Sequence, residues 1–184
     1  MALLESTQLP EGWQAQDFSL PATDGTTYSL SDFKDKQGLL VIFTCNHCPY
    51  AQSAWPLVVD LHKQFVSQVA FAAINPNDAE NYPDDSFKNM KSVADEFGVE
   101  FPYLHDETQK VAQAYQAQCT PDLYLFKNED RVLKLYYHGR INDNWQNPDK
   151  ATQENIKDAL AALISGQEAP AQQPPSMGCS IKWK

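Results

Sequence analysis

Three observations predict an α/β chain with a central mixed sheet flanked by helices, an N-terminal hairpin and an inserted helix. Leu39-Leu-Val-Ile-Phe43 and Val69-Ala-Phe-Ala-Ala-Ile74 are short apolar runs of the kind carried by strands covered on both faces. Between them Ala51, Trp55, Val58, Leu61 and Phe65 recur at helical spacing, so the stretch is a βαβ unit. Farther along, Leu123 to Phe126 and Val132 to Tyr137 flank Asn128-Glu-Asp, which predicts an antiparallel hairpin on the other side of the sheet.

The remaining elements follow in order. In FSLPATDGTTYSLSDF (18–33), Asp24-Gly25 separates two short alternating segments, because glycine accepts the positive φ of a tight turn; this hairpin is expected to cover one sheet edge. Pro56 falls inside the first helix and removes one backbone donor there, which should bend it. NPNDAENYPDD has loop composition. The inserted helix comes next, Ser86 to Phe97, with Phe87, Met90, Val93, Ala94 and Phe97 inward and Gly98 as its stop. Phe101 to Leu104 is a short strand. Asp106 and Gln109 have the spacing of a capping pair opening a helix that runs through Tyr115. Ile156, Leu160, Leu163 and Ile164 mark a last helix, ended by Gly166.

The domain is thus expected over residues 1–165, followed by a Pro-rich tail, 166–184, that carries Cys179. Pro174-Pro175 keeps that tail extended. At about 3.3 Å per residue, the stretch from Gly166 to Cys179 reaches roughly 40 Å, enough to cross a small domain. Ile181 and Trp183 beside the thiol suggest docking in a groove rather than a free end. No internal repeat is present.

With 184 residues, 42% of them hydrophobic, the chain suits one domain with a sizeable core. A formal charge of -10 with only Arg131 and Arg140 as arginines argues against nucleic acid. The opening MALLESTQLPEGW has no basic leader before an apolar stretch, and no apolar run approaches bilayer length, so no membrane association is expected and the cytoplasm is the expected compartment. In a reducing compartment, four cysteines are not a framework of structural staples, and a close pair is more naturally a working couple.

That pair is Cys45-Asn-His-Cys48, at the end of the first apolar run and followed by Pro49. A strand running into a helix places both sulfurs at its first turn, where free amides and the dipole favour thiolate over thiol. The spacing reads as a redox dithiol, the alternative being half of a zinc site or two structural thiols; zinc, however, needs a second ligand pair, and Cys119 and Cys179 stand apart. Cys45 is expected to be exposed and the more acidic, and Cys48 to be shielded and to resolve a mixed disulfide. His47 either stabilises the neighbouring thiolate, raising the reduction potential, or merely caps the turn.

FTCNHCPYA, the stretch from INPND to DET, CTPDLYLF, GRINDN and the closing GCSIKWK together resemble the thioredoxin superfamily. The likeness is to its longer redoxin, AhpC/TSA-type branch and a peroxiredoxin-like subgroup within it, over roughly residues 11 to 165. The resemblance implies a thioredoxin-like fold in which Thr120-Pro121 is a cis-proline loop facing the dithiol. The chain departs from thioredoxin proper in having no buried acid in the strand before the dithiol. Cys119 is then either a third redox thiol or a small buried hydrophobe, and Cys179 is expected to form a disulfide with Cys45, Cys48 or Cys119 during turnover. Arg140 either holds an anion near the site or pairs at the surface. His62, His105 and His138 read as solvated or locally bonded, and Trp55 and Trp145 as core or rim aromatics.

Three function classes remain. The preferred one is a thiol-disulfide oxidoreductase, acting on a disulfide-containing protein or small molecule with a thiol electron donor and no cofactor. A thiol peroxidase, with antioxidant activity, is the second, although the peroxidatic signature sets Thr three residues before the cysteine and Thr44 stands four before Cys48. The third is a copper-binding module using Cys45, Cys48 and a distant histidine such as His138.

Overall fold

In the computed structural model, residues 3–10 and 12–184 are described. Met1, Ala2 and Glu11, part of the opening segment read above, lie outside them. The chain runs β1 (Leu3–Glu5), β2 (Ser19–Pro21), β3 (Thr27–Ser29), β4 (Gly38–Phe43), α1 (Pro49–Phe65), β5 (Val69–Asn75), α2 (Phe87–Phe97), β6 (Tyr103–His105), α3 (Lys110–Ala114), β7 (Cys119–Thr120), β8 (Asp122–Glu129), β9 (Val132–His138), α4 (Asn155–Ile164) and β10 (Met177–Ser180).

The central sheet has the order β6-β5-β4-β8-β9. β4 is parallel to β5 and antiparallel to β8, with Leu40 opposite Phe71 on one side and Leu125 on the other. Every residue of β4 is buried, which is why its sequence is an unbroken apolar run. Successive side chains still part to opposite faces. Leu40 and Ile42 join Trp55, Val58, Leu160 and Leu163 under α1 and α4. Leu39, Val41 and Phe43 join Phe18, Phe33, Tyr115 and Tyr124 under the hairpin and α3. The β2–β3 hairpin covers the β6 edge, where the Thr23 amide donates to the Tyr103 carbonyl at 3.0 Å.

Three expectations need correction. α1 begins at Pro49 with Cys48 as its N-cap, so the dithiol precedes the helix instead of occupying its first turn. Proline's fixed φ and missing amide suit the first helical position, a signal already present in Cys48-Pro49. The helix expected from Asp106 is only α3, because Gln109 adopts a left-handed φ of 63°. Its side chain donates to the Pro76 and Lys182 carbonyls at 2.7 and 2.8 Å, while Asp106 Oδ2 accepts from the Ala112 amide at 2.8 Å. Phe87 stays exposed and stacks on His105 instead of packing inward. The tail, expected to be extended and docked, supplies the middle strand of a second, antiparallel sheet, β1-β10-β7, with Cys179 opposite both Leu3 and Thr120. β1 and β7 are too short to carry a periodicity of their own.

Candidate active site

Beyond β4, the Thr44 amide still bonds the Ile74 carbonyl, and the chain then turns through Cys45, Asn46 and His47 to the Cys48 cap. Cys45 and Cys48 are free thiols and both are 0 % exposed; they pack with Ala51 and Cys179. Cys45 is therefore not the exposed sulfur that helix-entrance reasoning predicts. Thr120 touches both members of the pair. Its Oγ1 lies 3.1 Å from Cys45 Sγ, and its carbonyl accepts from Cys48 Sγ at 3.4 Å. The Thr120-Pro121 bond is cis, as the resemblance implied.

The acidity order is also reversed. The Cys48 thiol is lowered to about 5, chiefly because Cys45 donates to it; burial opposes, and the Cys179 thiol and the Ala51 and Cys179 amides favour the anion further. The Thr120 carbonyl works against ionisation, but these donors outweigh it. Cys45 is pushed well up by that same donation to Cys48, then by burial and by the charge of Asp85. The two thiols titrate as a pair, and their surroundings favour the anion on the sulfur that caps α1.

Asp85 is the buried acid that β4 lacks, delivered by the Pro83–Asp85 turn within the insertion before α2. Its Oδ1 accepts from the Asn46 amide at 2.7 Å; Oδ2 accepts from Asn77 Nδ2 at 2.7 Å and lies 2.6 Å from His47 Nδ1. Asn46 is itself locked, donating to the Asp84 carbonyl and accepting from the Tyr103 hydroxyl, both at 2.8 Å. His47, 17 % exposed along its side chain, stacks on Tyr82. Its Nδ1 therefore faces Asp85 and not the sulfurs. Sequence reasoning missed Asp85 because NYPDD has ordinary loop composition, and only the fold-back of the insertion brings it to the sulfurs.

The copper arrangement proposed from sequence does not assemble. His138 Nε2 is held at 2.9 Å by Asp122 Oδ1, and its ring stacks on Tyr124. Among the described residues, the groups that could share an ion are Cys45, His47 and Asp85, within 4.8 Å of one another. Both Asp85 oxygens are already engaged by the donors just named.

Beside Pro121 lies a cavity of about 290 Å³, walled by Tyr50, Arg140, Trp145, Pro175 and Met177. Tyr50 and Trp145 stack with ring centroids 3.8 Å apart, making Trp145 a rim aromatic, whereas Trp55 is core. Among the described residues Arg140 forms no ion pair, and it donates to Asn155 Oδ1 and Gln153 Oε1. Cys119 Sγ turns to the Pro121 and Ser176 carbonyls, and burial, followed by the charge of Asp122, raises its thiol. The sulfur is fully buried. His62 and His105 have their imidazolium forms disfavoured, chiefly by burial; His62 lies between Phe71 and Phe101, and His105 under Phe87.

A parallel βαβ unit flanked by an antiparallel hairpin, with two cysteines at the first crossover facing a cis-proline, defines a thioredoxin-like fold. The family model described as AhpC/TSA matches residues 12–134, and the chain belongs to that family. The thioredoxin-like protein YneN of Bacillus subtilis is 31% identical over 128 residues, covering 70% of this chain and 72% of that one. The thiol-disulfide oxidoreductase ResA of the same organism is 29% identical over 128 residues, 69% of this chain and 67% of that one. An uncharacterised conserved protein from Geobacillus kaustophilus, of known crystal structure, superposes with a TM-score of 0.94 at 46% identity, over 100% of this chain and 97% of that one.

Proposed function

We propose that this protein is a thiol-disulfide oxidoreductase working through Cys45 and Cys48, with Cys48 as the attacking thiolate. The observation that carries this reading is a pair of free thiols held against one residue, Thr120, with a single favoured thiolate at the helix cap. The relatives named as thioredoxin-like and as a thiol-disulfide oxidoreductase point the same way. Cys48 thiolate attacks a substrate disulfide, forming a mixed disulfide and releasing one substrate thiolate. Cys45 then attacks the Cys48 sulfur, its proton leaves with the second substrate thiol, and a Cys45–Cys48 disulfide remains for a thiol donor to reduce. His47 sits between Asp85 and the solvent, placed to keep the Asp85 charge from opposing the thiolate. Because Cys48 is 0 % exposed, a substrate reaches it only as a neighbouring segment moves. The cavity beside Pro121 is the place for the incoming chain, with Tyr50 and Trp145 as its aromatic wall.

Insulin reduction with a small-thiol donor tests this, run alongside peroxide consumption and a copper titration. Disulfide reduction abolished by Cys48→Ala is expected. An unchanged rate in that variant, or peroxide consumed while insulin is left intact, overturns the assignment.

A further inference from the structure

Cys48 has two sulfur neighbours, and the dithiol reading uses only one. The other is Cys179, on the middle strand of the β1-β10-β7 sheet, buried with Cys45, Cys48 and Ala51. Burial, and then the neighbouring Cys48 sulfur, push its own thiol up to about 12.

The tail is built to bring it there. At Gly178 a Cβ would stand 2.1 Å from the Thr120 carbonyl oxygen, so glycine is what lets β10 close onto the residue that touches both dithiol sulfurs. On the far side of Cys179 the strand is pinned repeatedly. The Ile181 amide bonds the Gln118 carbonyl, the Lys182 amide donates to Asn77 Oδ1 at 2.9 Å, and the Lys184 amide donates to Gln109 Oε1 at 2.9 Å. Asn77 is also the residue that donates to Asp85, so one side chain anchors both the tail and the acid. On the near side, Pro175 and Met177 form a wall of the cavity beside Pro121.

We propose that Cys179 is a second resolving thiol: it attacks Cys48, so that the disulfide passes from Cys45–Cys48 to Cys48–Cys179 on the tail strand. This rests on the dithiol reading above. In the step, the Cys179 sulfur bonds to Cys48 Sγ, the Cys45–Cys48 bond breaks, and Cys45 leaves with the proton that Cys179 gives up. Exchange of this kind is isoelectronic and needs no further oxidant. Its effect is to move the oxidised pair from Cys45, which is fully buried, to a strand that borders the cavity. When Cys48 instead carries a mixed disulfide, the same attack by Cys179 releases the substrate thiol.

The test uses the full chain and oxidised glutathione. After acid quenching and alkylation, a non-reducing peptide map of the oxidised wild type should contain the Cys48–Cys179 cross-link beside Cys45–Cys48. In Cys45→Ser, the glutathione adduct on Cys48 should be lost to a Cys48–Cys179 disulfide. The Cys45→Ser/Cys179→Ser variant should retain the adduct, visible as intact mass. Retention of the adduct in Cys45→Ser alone, with Cys179 alkylated, overturns the proposal and leaves the dithiol reading standing. No adduct on Cys48 in any variant overturns both.

Discussion

Two buried acid–histidine pairs flank the cis-proline loop, and they are alike in chemistry but not in setting. Asp85 with His47 lies next to the sulfurs, and Asp122 with His138 opens β8, immediately after Pro121. Both carboxylates are fully buried. His138 is sealed, 4 % exposed along its side chain and stacked on buried Tyr124, whose hydroxyl also donates to Asp122 at 3.0 Å. His47 keeps a face toward solvent and stacks on exposed Tyr82. The lesson is that a buried Asp–His pair beside a thiol is not by itself a functional signal, since the charge of Asp122 opposes ionisation of Cys119 as that of Asp85 opposes ionisation of Cys45; what singles out Asp85 is that its thiol belongs to the dithiol.

The largest effect that separates the two pairs should come from Asp85→Asn. Backbone and side-chain donors converge on both Asp85 oxygens, so an amide NH₂ at either position meets another donor. A loss of about 3–5 kcal/mol is expected in denaturant unfolding of the reduced protein. In Asp122→Asn the amide oxygen can still accept from Tyr124 and its NH₂ can face a re-tautomerised His138, so about 1–3 kcal/mol is expected. Equal losses would erase the distinction.

Next comes the reduction potential. Removing His47 leaves the Asp85 charge less compensated beside the dithiol, which disfavours the thiolate-bearing reduced form. His47→Ala should therefore make the couple more reducing by about 30 mV, corresponding to about 1.4 kcal/mol. Equilibration against glutathione measures it, and His138→Ala should leave the potential in place. A shift in the second variant comparable to that in the first would show that the sealed pair also feels the sulfurs.

The pH dependence sharpens the contrast further, because the open pair acts on Cys45, and Cys45 is the chief cause of the Cys48 shift. The Cys48 thiol is lowered from 9.0 to about 5, so the folded, reduced chain releases this proton more readily than the unfolded chain. The resulting stabilisation is complete above the unfolded value and is lost as pH falls through about 5. Thiolate absorbance near 240 nm should disappear with a midpoint close to 5 and be missing in Cys48→Ala. A midpoint near the ordinary cysteine value would contradict the anion at the helix cap. The smallest effect is expected away from both pairs, at the cavity rim. Trp145→Ala removes the stack on Tyr50, worth about 1 kcal/mol, and should raise the KM for a disulfide substrate about 5-fold with kcat unchanged.

Much of the scaffold was legible in the sequence because its signals are local. The apolar runs of β4 and β5, the helical spacing of α1 and the Asp24-Gly25 turn each report burial or backbone geometry within a few residues. The dithiol was legible for the same reason, since Cys45 and Cys48 lie between a strand and a helix that both announce themselves. Its internal order was misread, although Pro49 carried the clue that Cys48 caps the helix.

What the chain determined by itself, then, was the sheet, its helices and the place where two sulfurs meet, since hydrophobic periodicity and turn chemistry act between near neighbours. The tertiary structure decided how the neighbours of those sulfurs contact them and added Asp85 to them. Thr120 reaches Cys45 from 75 residues away, Asp85 reaches the Asn46 amide across 39, and Gly178 seats Cys179 beside Cys48 from the far end of the chain. Thr120 and Cys179 were announced by CTPDLYLF and GCSIKWK, whereas Asp85 sits in ordinary loop composition with no motif to announce it. Each is chosen by hydrogen bonding and close packing after the chain has folded back, and so the ionisation of the dithiol is a property of the assembled site.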